Sequence, residues 1–480
     1  MTGQRVLPAP WLIRRAELPG RGTFDVRCVR GRIERVGTGL LPDPGERVLD
    51  AAGGALLPGL HDHHLHLFAM AAAAVSLACG PPSVPDEPAL ARALRSAAPD
   101  ADGWIRGVGY HESVARDLTA ARIDRWRADV PIRIQHRSGS LWMLNRAGLQ
   151  ALGVGGAARA DGTEGLERDA AGCATGRLFR ADAWLRGRLG PAAPPDLGPV
   201  GAALSRVGVT GVTDATPANG PAEVAWVESA RQRGALAQRV AWMGGASLPA
   251  AAPGDAARPL KLVLDERTLP TPDELAVQIG RAHGAGRPAA VHCVGRVALF
   301  VLCAAWDAAG VRPGDRVEHA SVAPPEAVSW LARLGVTVVG QPGFVRDRGD
   351  DYLRDVDAID RAWLHRCAGF DAAGVKLGGS TDAPYGCADP WRAMQAAVDR
   401  RTAAGASVSP GEGVAPERAL DLFTTPAADP GGRPRTVAPG APGDLCLLRV
   451  PWARARDALD AGFVRATFVG GERVFDADGS

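Results

Sequence analysis

Lysine is almost missing from this chain of 480 residues: only Lys261 and Lys376 occur, against 53 arginines. A bias of that kind reflects the coding sequence more than the fold, yet it makes each remaining ammonium group worth a separate question. Charge of one sign is also lacking. Acids and bases nearly cancel to a net +2, which argues against nucleic acid as the main partner. Aromatic residues are few, at 5%. No two of the eight cysteines (28, 79, 173, 293, 303, 367, 387 and 446) form a CxxC pair. In a chain this long, that pattern suits buried free thiols in a reducing compartment rather than a disulfide framework. The most apolar run, Leu67 to Cys79, is too short to span a bilayer. The N-terminus has no basic stretch leading into an apolar core, so no secretory signal is expected. There is no P-loop, no HExxH and no GxSxG elbow. These absences leave a soluble, cytoplasmic protein as the expectation. Its partners would be small molecules and at most further copies of itself, with no nucleic acid and no membrane.

What is present is histidine, concentrated in one place. Four of the ten fall between His61 and His66, after the apolar run Ala55-Leu56-Leu57 and the step Pro58-Gly59. That context reads as a buried strand. Side chains in a strand alternate faces, so Asp62, His64 and His66 share one side while His61 and His63 share the other. Two imidazoles about 6–7 Å apart at Cα and aimed into one space can grip a metal ion. Asp62, in phase with them, is expected to orient one ring. His61 and His63 are expected to face outward, with no part in the site.

The chain is expected to be α/β. Phe24–Val29 and Arg32–Val36 flank the turn Arg30-Gly31; Asp444–Leu448, Phe463–Val469 and Arg473–Phe475 form a similar set at the other end. Neither end suffices for a stable sheet alone. We therefore expect 1–57 and 428–480 to join in one small β-sandwich-like domain. Between them, 58–427 alternates apolar strands with helical runs, which predicts a (β/α)₈ TIM barrel. The strand candidates are Pro131–His136, Gly211–Asp214, Arg239–Met243, Leu260–Leu264, Ala289–His292, Arg316–His319, Val336–Gly340 and Val375–Gly379. With the histidine strand and Trp104–Val108 they exceed eight, so some must lie outside the barrel. Helices are expected over Pro272–His283, Val297–Ala309, Pro325–Leu334 and Trp391–Ala404. Residues 153–200, rich in Gly, Ala and Pro, are expected to form a long excursion near the mouth.

Barrel enzymes carry their active sites at the C-terminal ends of the strands. There the chain places His64, His66, Lys261, His292, His319 and Asp382 in order. Together with Pro58-Gly59-Leu60-His61-Asp62-His63-His64-Leu65-His66, Val317-Glu318-His319-Ala320, Gln341-Pro342 and Gly379-Ser380-Thr381-Asp382-Ala383-Pro384, this order resembles the metal-dependent amidohydrolase superfamily, and within it the amidohydrolase-3 branch. Asp389-Pro390, Arg418-Ala419-Leu420 and Gly440-Ala441-Pro442-Gly443-Asp444-Leu445 extend the likeness almost end to end.

The resemblance implies that His64, His66, His292 and His319 bind a divalent metal, that Asp382 binds metal and shuttles a proton, and that Lys261 is carboxylated to bridge two ions. Such ligands suit Zn²⁺, with Mn²⁺, Fe²⁺ and Co²⁺ as alternatives. The implied reaction is hydrolysis of a non-peptide C–N bond in an amide, formamide or cyclic amide by metal-activated hydroxide. A deaminase acting on a heterocycle is the alternative, and a non-catalytic binding barrel a more distant one. Tyr110, His111, Ser140, Gln341 and Arg346 are candidate substrate contacts; Trp142 and Tyr385 are candidate walls of an apolar pocket. Three departures bear on substrate. Arg296 stands where many relatives carry Asp, Ser138-Gly139-Ser140 replaces Asp-Gly-His, and Leu262-Val263-Leu264-Asp265-Glu266 replaces Phe-x-Asp-Gly.

Overall fold

Apolar runs too short for helices become parallel strands here, and their spacing fixes where the polar residues emerge. The computed structural model describes residues 9–154, 164–190, 193–252 and 256–479. It divides into two units, Met1–Leu67 with Leu197–Ser480, and Phe68–Asp196.

The larger unit holds two parallel sheets. Leu60–Leu65, Val209–Asp214 and Arg239–Trp242 form a sheet of three, with Val209–Asp214 central. Leu260–Val263, Ala289–Cys293, Arg316–His319, Thr337–Gly340 and Leu377–Gly379 form a sheet of five in chain order. A parallel bridge between Gly244 and Leu260 links one sheet to the other. At the far edge, the Asp382 amide donates to the His64 carbonyl at 2.9 Å and the His66 amide to the Ala383 carbonyl at 2.9 Å. The surplus in the strand count is resolved: 105–110 and 132–136 belong to the other unit, and eight strands remain.

The intervening helices carry their own start and stop signals. Thr271 caps Pro272–Gly284 through a reciprocal bond pair with Glu274, with Pro272 in the first turn. Leu275, Ile279 and Ala282, at helical spacing, are its buried residues. Pro325–Leu334 ends as expected, on Gly335 at φ +69°. The helix expected over Trp391–Ala404 is shorter, Pro390–Asp399, because Arg400 takes a left-handed conformation and the chain turns back.

Both chain ends form mainly antiparallel strands, with Arg47–Asp50 pairing in parallel with Trp11–Leu18. Trp11–Leu18, Gly22–Val29 and Arg32–Gly37 form a sheet with Arg47–Asp50. Leu56–Pro58 instead pairs with Leu445–Leu448, which continues to Val464–Val469 and Glu472–Asp476. The two sheets share one apolar cluster, in which Trp11 meets Phe468 edge-on with ring centroids 5.4 Å apart.

Phe68–Asp196 contains a six-stranded mixed sheet whose central strands are Ile105–Tyr110, Ile132–His136, Leu141–Leu144 and Ala174–Phe179. Of the excursion at 153–200, Leu166–Arg168 and Ala174–Phe179 join this sheet, and 155–163 and 191–192 lie outside the described residues. All eight cysteines are free, but Cys173 and Cys387 are exposed, so the expectation of buried thiols holds for six. Among the described residues no helix is long and apolar enough to cross a membrane.

Candidate metal centre

The strand Leu60–Leu65 is buried along its whole length, so both its faces must satisfy their polar groups internally. On one face His64, and His66 just beyond the strand, converge with Asp382: one ligand atom of each lies within 4.8 Å of the others. His66 Nε2 is 3.2 Å from Asp382 Oδ1, and His64 Nε2 is 3.6 Å from the same oxygen. Each ring is held by its other nitrogen. His64 Nδ1 bonds the Glu318 carboxylate, and His66 Nδ1 lies 2.9 Å from the Thr216 hydroxyl. Asp214 shapes the turn that carries Thr216, accepting from the amides of Leu67 and Thr216 and from Asn219.

The opposite face corrects one expectation. His61 and His63 do point away from this site, but they are buried rather than outward in the sense of solvent. Their Nε2 atoms meet Thr213 and Thr425 hydroxyls at 2.9 and 2.8 Å.

Asp62 is a second correction, because it orients no ring. Its carboxylate accepts from the His64 amide at 3.1 Å and from the amide and hydroxyl of Thr381 at 3.1 and 2.5 Å. Three nearby donors saturate it. Burial pushes its acid up to about 7, against the pull of the Thr381 and His64 bonds. Asp62 thereby fixes the residue just before Asp382. Asp382 itself has φ +55°, and His319 has φ +76°. Non-glycine residues rarely occupy this left-handed region, and it recurs at functional sites. At His319 the turn of the backbone lets two consecutive side chains, Glu318 and His319, serve the same site, which strict alternation forbids.

His319 completes a chain of rings. Its centroid is 4.9 Å from that of His64 and 4.5 Å from that of His292. Its Nδ1 lies 2.8 Å from Gln341 Oε1, while Gln341 Nε2 donates to Ser380 Oγ at 2.9 Å and the Val339 carbonyl at 3.2 Å. Gln341, expected to meet substrate, is spent on positioning His319. Lys261 is 6% exposed, and its Nζ has no hydrogen-bond acceptor. Burial lowers its amine to about 8, with Arg316 acting in the same direction and Glu318 against it.

Glu318 is the residue the strand-end pattern passed over. Arg316 grips it with Nε at 2.5 Å and Nη2 at 3.1 Å, and Nη2 also donates to the His63 carbonyl at 2.7 Å. Burial works against its ionised form, but Arg316, Lys261 and His64 outweigh that and hold the acid well below the usual carboxylate range. A signal existed: Arg and Glu two apart share one face of a strand, and opposite charges there pair.

The donors suit a divalent cation. Burial, with the Lys261 charge, lowers the His64 ring to about 3, and burial lowers His292 and His319 as well. Neutral rings have lone pairs to offer at neutral pH. For Asp382, burial is outweighed by the His66 hydrogen bond and the neighbouring rings, so its acid is driven well below the carboxylate range and the oxygens are ionised.

The remaining expected contacts are placed as follows. Tyr110, His111 and Ser140 belong to the Phe68–Asp196 unit. Tyr110 is 1% exposed in that unit's apolar core and its hydroxyl donates to the Arg116 carbonyl at 2.5 Å, which gives it a structural part. Trp142 is likewise core, its indole N–H donating to Asp182. Ser140 Oγ ends a relay through Ser138 Oγ to His136, whose Nε2 meets Glu112 at 3.0 Å; His111 lies beside it, rings 6.0 Å apart. In the larger unit, Arg346 is half-buried in the helix Gly343–Asp355. Tyr385 packs edge-on against His66, centroids 5.3 Å apart. Arg296 pairs with Asp360 at 2.7 Å. His365, unremarked in the sequence, is buried between Phe344 and Tyr352 with neither ring nitrogen hydrogen-bonded.

A model of the amidohydrolase family matches residues 47–475. The chain is 26% identical to an N-substituted formamide deformylase of Arthrobacter pascens, over 94% of each protein. Its fold is similar to that of an uncharacterized metal-dependent hydrolase from Pyrococcus furiosus, with a TM-score of 0.67 at 20% identity, covering 92% of this chain and 97% of that one. N-isopropylammelide isopropylaminohydrolase from Burkholderia multivorans gives a TM-score of 0.54 at 18% identity, over 98% of each chain. With the family model spanning most of its length, the chain belongs to the amidohydrolase family, an enzyme family of metal-dependent hydrolases.

Proposed function

We propose that this amidohydrolase hydrolyses the C–N bond of an N-substituted formamide or a similar non-peptide amide, releasing a carboxylic acid and an amine. The observation that carries the proposal is the convergence of His64, His66 and Asp382 beside a buried lysine amine with no acceptor. The distant likeness to a formamide deformylase supports the choice of substrate class. The two parallel sheets are read as the eight strands of one (β/α)₈ barrel within 58–427, and 1–57 with 428–480 as a small composite β-domain. The eight free cysteines support a reducing compartment.

His64, His66, His292, His319 and Asp382 would hold one or two divalent ions, with Lys261 as the bridging ligand once carboxylated. Zn²⁺ is preferred for this nitrogen and oxygen set. Such an ion lowers the pKa of bound water from about 16 to about 7 and polarises a carbonyl. The chain's own residues do the rest. Glu318 and Gln341 engage Nδ1 of His64 and His319, which leaves each Nε2 as the ligand atom. Asp382, already ionised, accepts the proton from the attacking water. It then returns that proton to the leaving nitrogen as the C–N bond breaks. Lys261 can accept CO₂ because its amine is depressed: the neutral amine adds to carbon, a proton leaves, and a cation becomes an anionic oxygen ligand.

Elemental analysis of protein purified without chelator, combined with release of formate and amine from a panel of N-substituted formamides, tests the reading. Bound Zn²⁺ or Mn²⁺ and turnover are expected. Protein that is metal-free and stays inactive when either ion is added would sink the proposal. Ammonia released from a heterocycle, with no formamide turnover, would favour deamination.

A further inference from the structure

His61 is one of two members of the histidine cluster, with His63, for which the metal centre has no use. It is 6% exposed, and only its Nε2 is bonded, to Thr213 at 2.9 Å. Its ring lines a cavity of about 640 Å³ at the opposite end of the strands from Asp382. The walls are the turn Arg30-Gly31 with Arg32, the starts of two core strands at Thr210-Gly211 and Arg239-Val240, and the segments carrying Arg435, Asp444 and Gly470.

Four of the charged groups lining this cavity are arginines, and one is an acid. The acid is already saturated. Asp444 accepts Arg239 Nε at 2.6 Å and Nη2 at 3.2 Å, and the Gly470 amide at 2.6 Å. Arg435 donates Nε to the Thr424 carbonyl at 3.0 Å and Nη2 to the Gly59 carbonyl at 2.5 Å, which leaves Nη1 without a protein acceptor. Arg32 uses Nη1 alone, on the Gly440 carbonyl at 2.7 Å, and among the described residues neither Arg30 nor Arg32 has a carboxylate partner. Three positive charges therefore stand uncompensated around one cavity, in a chain whose total is +2. Burial works against the Arg435 cation, as does the neighbouring Arg239, with only Asp444 opposing. A cation in that position gains from an anion. Guanidinium forks match the oxygens of phosphate in pairs, and the volume lies within the range of about 300–1,000 Å³ usual for small-molecule sites.

We propose that this cavity is a second ligand site, for a small phosphate dianion, either free or as the head of a phosphomonoester, held by Arg30, Arg32, Arg239 and Arg435 with His61 at its floor. It stands independently of the proposed reaction. His61 lies near the start of the strand that carries His64, and Arg435 holds the Gly59 carbonyl just before it, so an occupant would touch that strand at one end while the metal centre occupies the other.

The test uses the metal-loaded full chain. Inorganic phosphate is titrated calorimetrically, and unfolding is followed with phosphate replaced by chloride at constant ionic strength. Glycerol phosphate and malonate serve as the ester and the carboxylate. Saturable binding of phosphate with a raised unfolding midpoint is expected. The double variant Arg30→Gln, Arg32→Gln, altered only on an exposed turn, is expected to weaken binding about tenfold or more, as loss of bonds to a charged group implies. Tighter binding of glycerol phosphate than of phosphate identifies the ester as the occupant; equal binding identifies free phosphate. No binding beyond that of chloride, unchanged affinity in the double variant, or a preference for malonate would overturn the proposal.

Discussion

The two ends of the Leu60–Leu65 strand present opposite chemistry within a few residues. At its C-terminal end, buried neutral rings and ionised carboxylates offer electron pairs: His64, His66, Asp382 and, supporting them, Glu318. At its foot, Arg435 holds the Gly59 carbonyl and four arginines outnumber a single acid. One end is arranged to receive a cation, the other an anion. The chain's two lysines show the same divide. Lys261 is buried with no acceptor. Lys376, at the foot of the last core strand, is half-exposed and pairs with Asp429 at 2.7 Å. Position along a strand, more than residue type, sets what each charge does.

Breaking the upper end should have the largest consequence. Asp382→Asn keeps the shape but removes the proton acceptor, and hydrolysis is expected to fall by about 10²–10⁴-fold. Steady-state rates on the best formamide check this, and a rate near that of the parent protein would remove Asp382 from the chemistry.

Next comes the support of His64. Glu318→Gln should lower metal affinity or activity by about 10–100-fold, the usual cost of losing a partner behind a ligand. It also strands Arg316, so stability should fall by about 3–5 kcal/mol, as when one member of a buried pair is removed. Competition with a chelator and denaturant unfolding separate the two effects. Intact metal binding would mean that the Glu318 bond does not hold the ring.

Lys261 sharpens the comparison through pH. Its folded amine is near 8, lowered by burial from 10.5. Between these values the unfolded chain binds more protons than the folded one, so stability rises with pH. The cost of burying the ammonium is fully felt below about pH 8 and is relieved as pH climbs towards 10.5. Chelated, CO₂-free protein should therefore gain up to about 3 kcal/mol across that window. In Lys261→Met the rise should vanish. A variant that still gains stability would assign the effect to another group.

The smallest effect is expected at the foot. Lys376→Gln breaks a solvent-screened pair worth about 1 kcal/mol or less. Hydrolysis should be unchanged and the unfolding midpoint nearly so. A large loss of activity would erase the contrast between the two lysines.

Much of this arrangement was readable from residue patterns. Short apolar runs marked the eight strands of the two parallel core sheets, and the helical run from Pro272 marked the helix that follows Leu260–Val263. Period two separated His64 and His66 from His61 and His63. The reading failed where local geometry departs from that period or where partners come from far away. His319 turns left-handed, which admits Glu318 to the site. Gln341 and Asp62 looked free to meet substrate or a ring, yet their partners, His319 and Thr381, lie 22 and 319 residues away. Tyr110 looked like a substrate contact because no residue pattern shows that its hydroxyl is spent on the Arg116 carbonyl.

The sequence by itself determined the eight core strands, the order of the strand-end residues and the family, because these depend on local periodicity and on motifs along the chain. Tertiary structure alone decided the partners. It gave His64 its carboxylate, left Lys261 without an acceptor and gathered Arg30, Arg32, Arg239 and Arg435 around His61. Hydrogen bonds and charge act over a few ångströms in space, and residues hundreds of positions apart meet at that range only once the chain has folded.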